Sequence, residues 1–190
     1  MKSSIKTFKS VLPLLVFFAC LLVLSSVEAA KEKSSVLLIF NNQSDKYYNY
    51  KLNAIALQEL HKKVDGIYTV FENNSYIEKY LSESHFTDDM EEVISLSKEI
   101  DVNYLIYTEL MPFRISENYN IIWHTKKATA TVGLRIIDKK AKKEIFKEIY
   151  KLDAKGSTDH YFIGNPSMAK KSLRAAMFKV CEAISLHLPL

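Results

Sequence analysis

From Thr125 to Asp138 apolar and polar residues alternate. Ala128, Ala130, Val132, Leu134 and Ile136 fall on one side, and Thr129, Thr131, Gly133 and Arg135 on the other. A period of two belongs to a β-strand with one face on a core. Asp138 to Lys143 reads as a basic turn, and Glu144 to Ala154 as the returning strand, with Phe146, Tyr150 and Leu152 on one side. The pair predicts a long antiparallel hairpin.

Elsewhere the period changes. Ser35 to Phe40 is a short continuous apolar run closed by Asn41-Asn42-Gln43-Ser44-Asp45, which predicts a buried strand and a turn. A helix follows over Tyr48 to Lys63, with Leu52, Ile55, Ala56 and Leu60 on one stripe. Asp65-Gly66 ends it, since glycine accepts the left-handed conformation that closes many helices. Ile67 to Phe71 reads as a second strand, and Asn73-Asn74-Ser75 opens a short helix to Leu81. Asp88 and Glu91 form a capping-box pattern for a helix to Ile100 that buries Val93, Leu96 and Ile100. Val102 to Met111 predicts a third strand closed by Pro112, while Ile115 to Asn120 is polar and reads as loop. Asn165 and Pro166 start a last helix to about Leu188, whose stripe is Ala169, Leu173, Ala176, Met177, Val180 and Ile184.

The predicted order is β-α-β-α-α-β-β-β-α. It implies an α/β (α+β) single domain, with a mixed sheet of about five strands, a long antiparallel hairpin and helices packed on the sheet.

The first residues follow a different logic. Lys2, Lys6 and Lys9 precede an apolar run from Val11 to Leu24, and Val27-Glu28-Ala29 supplies small residues at the −3 and −1 positions of a cleavage site. That is the pattern of a secretory signal peptide over residues 1–29, leaving one domain over 30–190. The run is shorter than the ~20 residues of a comfortable membrane span. The expected location is therefore exported: periplasmic or extracellular, in association with the outer membrane if anchored there. Cytoplasmic roles such as ATP-driven work or tRNA handling are disfavoured. Phe17-Phe18-Ala19-Cys20 has only its alanine in common with a lipidation signal, so soluble cleavage is the favoured outcome over lipidation at Cys20 or an uncleaved anchor.

Cleavage lowers the formal charge from +4 to near +2, because the leader carries three lysines against Glu28. That is no footprint for nucleic acid, which needs a strongly basic face. Cys181 remains alone after the leader is removed, so no internal disulfide can form within the remaining domain.

Catalytic constellations are scarce. The five histidines, at 61, 85, 124, 160 and 187, have no zinc-binding spacing. His85 with Asp88 and Asp89 is the nearest cluster, and a helix N-terminus accounts for its carboxylates. Cys181 sits beside an apolar stripe and reads as a packed thiol. Ser157, Asp159 and His160 carry hydrolase letters, but neighbours in a loop rarely make a triad. With four glycines and no glycine-rich loop there is no phosphate cradle. No enzyme, cofactor or metal is expected; a secreted hydrolase is the least favoured reading.

Contact surfaces are the better candidates. Tyr47, Tyr48 and Tyr50 follow an amide-rich turn and suit protein or glycan contact, since tyrosine joins apolar area to a polar tip. Ile122 and Trp123 form an aromatic-apolar patch at the start of the hairpin, and Phe178 lies off the stripe of the last helix. Lys139, Lys140, Lys142 and Lys143 read first as a solvated hairpin tip, and second as a contact for an anionic lipid or polymer.

The order and its joints resemble the family of bacterial envelope accessory domains that includes the TolB N-terminal domain, LpoB and CsgG. The first strand with its turn, Val36-Leu37-Leu38-Ile39-Phe40-Asn41-Asn42-Gln43-Ser44, is similar to that group's opening motif. So are Tyr68 to Asn73 with Ile77 and Leu81, the joint from Ser97 to Tyr107, and the hairpin from Leu134 to Phe146. The group's glycines at the third strand and the hairpin turn are replaced here around Val102, Thr108 and Lys142. The resemblance implies a non-enzymatic accessory or adaptor in envelope assembly or secretion, with a polymer- or ligand-binding periplasmic module as the alternative. Implied partners are envelope proteins or further copies of the chain, with a membrane only if Cys20 is lipidated or the leader is retained.

Overall fold

Among the described residues, six strands and four helices are set in the order that the hydrophobic pattern prescribes, with one strand more. The computed structural model describes residues 33–44, 49–72, 75–83, 89–119, 124–158 and 165–189. Ser34–Leu190 forms one compact unit. The strands are β1 (Ser35–Asn42), β2 (Thr69–Phe71), β3 (Tyr104–Leu110), β4 (Arg114–Tyr119), β5 (His124–Asp138) and β6 (Lys143–Thr158). The helices are α1 (Asn49–Val64), α2 (Ser75–Glu83), α3 (Met90–Leu96) and α4 (Asn165–His187).

The sheet is mixed and open. β1 pairs in parallel with β2 on one side and with β3 on the other, through Val36↔Tyr104 to Asn42↔Leu110. β5 runs antiparallel to β3, β4 and β6. β3 and β4 share one flank of β5: Leu110 opposes Val132 and Arg114 opposes Thr129. Between these pairs the β3–β4 side advances four residues against three on β5, so Met111 to Phe113 contain a bulge where Pro112 cannot donate to the ladder. The observed layout is close to the expected five ribbons, one of them interrupted. β4 itself corrects the loop expected over Ile115 to Asn120.

Both faces of the sheet are covered. On one, Val36, Leu38, Phe40, Ile106 and Leu110 join Ala130, Val132, Leu134 and Ile136 under α1 and α4. The expected stripes of α1 and α4 supply the other half, with Leu52, Ala56 and Leu60 meeting Leu173, Ala176, Met177, Val180 and Ile184. On the opposite face Leu37, Ile39, Leu105, Tyr107 and Ile137 pack with Ile77, Val93 and Leu96 from α2 and α3. A strand buried on both faces needs a continuous apolar run, which is how β1 reads.

Local joints follow from residue chemistry. Gly66 has φ 82 and ends α1, as its left-handed backbone allows. The cap of α3 is Asp89, whose carboxylate accepts from the Glu91 amide at 2.9 Å. That displaces the expected Asp88 cap by one residue, and Asp88 lies outside the described residues. α3 ends at Leu96, short of the expected Ile100, and a tight turn carries the chain to Ile100, which packs half-buried on the core under α2 and α3. Lys139 leaves the hairpin turn to donate to the carbonyls of Ser97 at 2.9 Å and Ile100 at 2.5 Å. One of the four turn lysines is thus structural, while Lys140, Lys142 and Lys143 are exposed. Among the described residues no helix is long and apolar enough to cross a membrane.

Candidate functional site: an apolar helix face and a buried polar row

α4 buries one side against β5, β6 and α1 and leaves the other to solvent. On that outer side Phe178 is 69% exposed and Leu186 is 75% exposed. Between them Lys179 and Glu182 form an ion pair at 2.8 Å, one helical turn apart. An exposed surface pair of this kind contributes roughly 0–1 kcal/mol, so it adds polarity to the face rather than rigidity. Two large apolar side chains on one helix face suit a protein partner, because aromatic and aliphatic anchors carry most contact energy.

Of the other expected contact residues, Tyr50 lies in the first turn of α1. Tyr47, Tyr48, Ile122 and Trp123 lie outside the described residues. Among hydrolase letters, Ser157 lies on β6 opposite Thr125, and Asp159 and His160 fall outside the described residues. His85 falls outside them as well. Among the described residues no group of three or more His, Cys, Asp or Glu could hold a metal ion.

Cys181 is buried at 4% exposure, and its thiol donates to the Glu59 carbonyl at 3.3 Å. Burial pushes that thiol up to about 11, so the reactive thiolate is scarce near neutrality. The reading of an inert packed cysteine agrees with this geometry. His61, at the end of α1, lies between Asp65 at 2.9 Å and Glu72 at 3.0 Å. Its hydrogen bond to Asp65, more than the charge of either carboxylate, raises the imidazole above its ordinary value.

A second feature escaped the sequence. On the face under α2 and α3 the strands place Ile39, Tyr107 and Arg135 in one row, and Asn41, Glu109 and Gly133 in the next. Asn41 donates to the Tyr107 hydroxyl at 3.1 Å, and Gln43 donates to Asn41 at 2.9 Å. Arg135 donates to Glu144 at 2.6 Å. Burial, the largest cause, lifts Tyr107 up to about 12, despite the Asn41 hydrogen bond. Glu109 is 1% exposed, with Oε2 unpartnered, and burial raises it to about 7. The signal for this row was a lone carboxylate inside an apolar strand, between Thr108 and Leu110.

No family model and no curated protein matches the chain. Solved structures do. A hypothetical protein of Chlamydia trachomatis, CT253, is similar at a TM-score of 0.54 and 10% identity, over 81% of this chain and 97% of that one. That likeness shows a shared fold. The lipoprotein GNA1162 of Neisseria meningitidis reaches a TM-score of 0.41 at 15% identity, over 78% of this chain and 99% of its own. The LpoB C-terminal domain of Salmonella enterica reaches 0.36 at 15% identity, over 65% of this chain and 85% of its own. These two are likenesses in outline.

Proposed function

We propose that this chain is an exported, non-enzymatic accessory or adaptor protein of a bacterial cell envelope, acting through contacts with other envelope proteins. The observation that carries the reading is the outer face of α4, where Phe178 and Leu186 stand exposed on an otherwise well-packed helix. The leader pattern over residues 1–29 supports export, and the Tyr47–Tyr50 and Ile122–Trp123 segments are further candidate contacts. Crosslinking in the native host, followed by purification of tagged protein and mass spectrometry, tests it. Co-purifying envelope assembly or secretion components are expected; recovery of the protein by itself would count against the reading.

One observation favours a polymer-binding module as the second reading. The outward face of β6 carries Lys147, Lys151 and Lys155, all exposed, beside the half-exposed Ile149, with the Asp153 between them paired to Lys127 at 2.7 Å. A cationic strip with an apolar residue in it suits an anionic polymer. Pelleting with isolated peptidoglycan separates the two readings, since only the second expects co-sedimentation of purified protein that fades with salt.

A further inference from the structure

Among the described residues β6 is the longest strand of the sheet, and it pairs with β5 and with no second strand. In an antiparallel ladder every second residue turns both its N–H and its C=O away from the partner. A row of backbone donors and acceptors therefore runs along the outer edge of β6. Proteins usually blunt such an edge by keeping it short, by placing proline in it or by bulging it. β6 is 16 residues long and contains no proline, and its register shift against β5 lies near the hairpin turn, between Ile136 and Ile137.

What guards this edge is charge, and on one face the charge has a single sign. Phe146, Tyr150 and Leu152 turn toward the core under α4, with Glu148 accepting from the Tyr150 hydroxyl at 2.8 Å. The other face carries Lys147, Ile149, Lys151, Asp153 and Lys155, all exposed. Asp153 is committed to Lys127 and accepts from Thr129, both at 2.7 Å, so the lysines beside it set the sign of the strip. Lys151 and Lys155 stand about 13 Å apart along the strand, at four residues of extended chain. A second copy of β6 would bring a like strip of lysines to the joint. A strand with acidic residues at the same spacing would set opposite charges across the ladder, where they attract. Ile149, 51% exposed, lies two residues before Lys151 and matches an apolar residue between the acidic ones.

We propose that the outer edge of β6 takes up an extended segment of an acidic partner protein as a further strand, with carboxylates opposite Lys151 and Lys155 and an apolar side chain opposite Ile149. This surface is distinct from the outer side of α4 and stands independently of the contact proposed there. The probe is a blocked decapeptide of threonine with glutamate at positions 2, 6 and 10 and valine at positions 4 and 8. It is titrated into the whole protein at constant ionic strength and followed by the amide NMR signals of residues 147–155. Saturable shifts along β6 are expected, with slowed hydrogen exchange of its outward amides. Binding should fall at least tenfold when Lys151→Glu and Lys155→Glu are combined, and that variant should instead take the same peptide with lysine in place of glutamate. A peptide with proline in place of threonine keeps the charges but cannot join a ladder, and no response to it is expected. Equal shifts from the proline peptide would give the lysines to an anionic polymer held by charge alone, and would overturn the proposal. So would shifts that never saturate, or edge protection that rises with protein concentration in the absence of peptide, the mark of a second copy.

Discussion

Lys126 on β5 lies directly opposite Glu117 on β4, and their charged groups meet at 2.5 Å. The lysine side chain is almost wholly buried, while the glutamate keeps part of its surface in water. The pair joins β5 to a strand that has little apolar area of its own. Breaking a buried pair from one side leaves a desolvated charge behind. Glu117→Ala is therefore expected to destabilise the fold by about 1–3 kcal/mol, more than a surface pair would. Urea unfolding measures it; a loss within a few tenths of a kcal/mol would show that Lys126 is satisfied without Glu117.

Glu109 makes stability depend on pH. Its carboxyl is raised to about 7 in the fold, whereas an unfolded glutamate sits near 4.3. The folded state then binds the extra proton between these values, so stability falls as pH rises through that window and stays low above it. The expected loss is on the order of a few kcal/mol. Glu109→Gln should remove this slope and be the more stable protein at pH 8. Chemical unfolding at a series of pH values decides the matter, and an unchanged slope in the variant would place the linkage elsewhere.

The hairpin turn holds a strained lysine. Lys142 has φ 49, a left-handed backbone that residues with a Cβ adopt at a cost. Lys142→Gly is expected to stabilise by about 0.5–1 kcal/mol, the gain reduced by the extra freedom of glycine in the unfolded chain. For a domain of this size that is a rise of ~1–4 °C in melting temperature. A fall would mean that the lysine side chain contributes more than its backbone loses.

Leu134 tests the principal core. It lies between the sheet and α4, 1% exposed, among Val132, Ile136 and Met177. Leu134→Asp places an unpaired charge there, at a cost comparable to the 5–15 kcal/mol of a whole domain. The variant should show no cooperative melt by circular dichroism, and a wild-type transition would refute the inward assignment.

The legible parts of the fold were those with strong periods. The alternation over 128–136 and the stripes of α1 and α4 all point inward as their spacing required, apart from Ile55, which is half-buried. β4 was not legible because Arg114-Ile115-Ser116-Glu117-Asn118-Tyr119 holds too few apolar residues and Arg114 to Asn118 stay exposed. It is a strand because β5 extends beyond β3 and offers free backbone groups, a tertiary cause that local pattern does not carry. Thr129 and Arg135, on the polar side of the alternation, are buried as well: Arg135 through Glu144, and Thr129 by donating to Asp153 at 2.7 Å. Phe178 was visible in the sequence because it breaks the stripe of its helix. Glu109 was not, since its burial follows from the pairing of β3 between β1 and β5, which lie far from it in the chain.

The outer face of α4 is the proposed contact with another envelope protein. A photoactivatable amino acid at position 178, compared with one at the exposed Lys98 on the other side of the sheet, tests this most directly in living cells. A discrete adduct with an envelope protein is expected from position 178 and none from position 98. No adduct from position 178, or the same adducts from both positions, would contradict it.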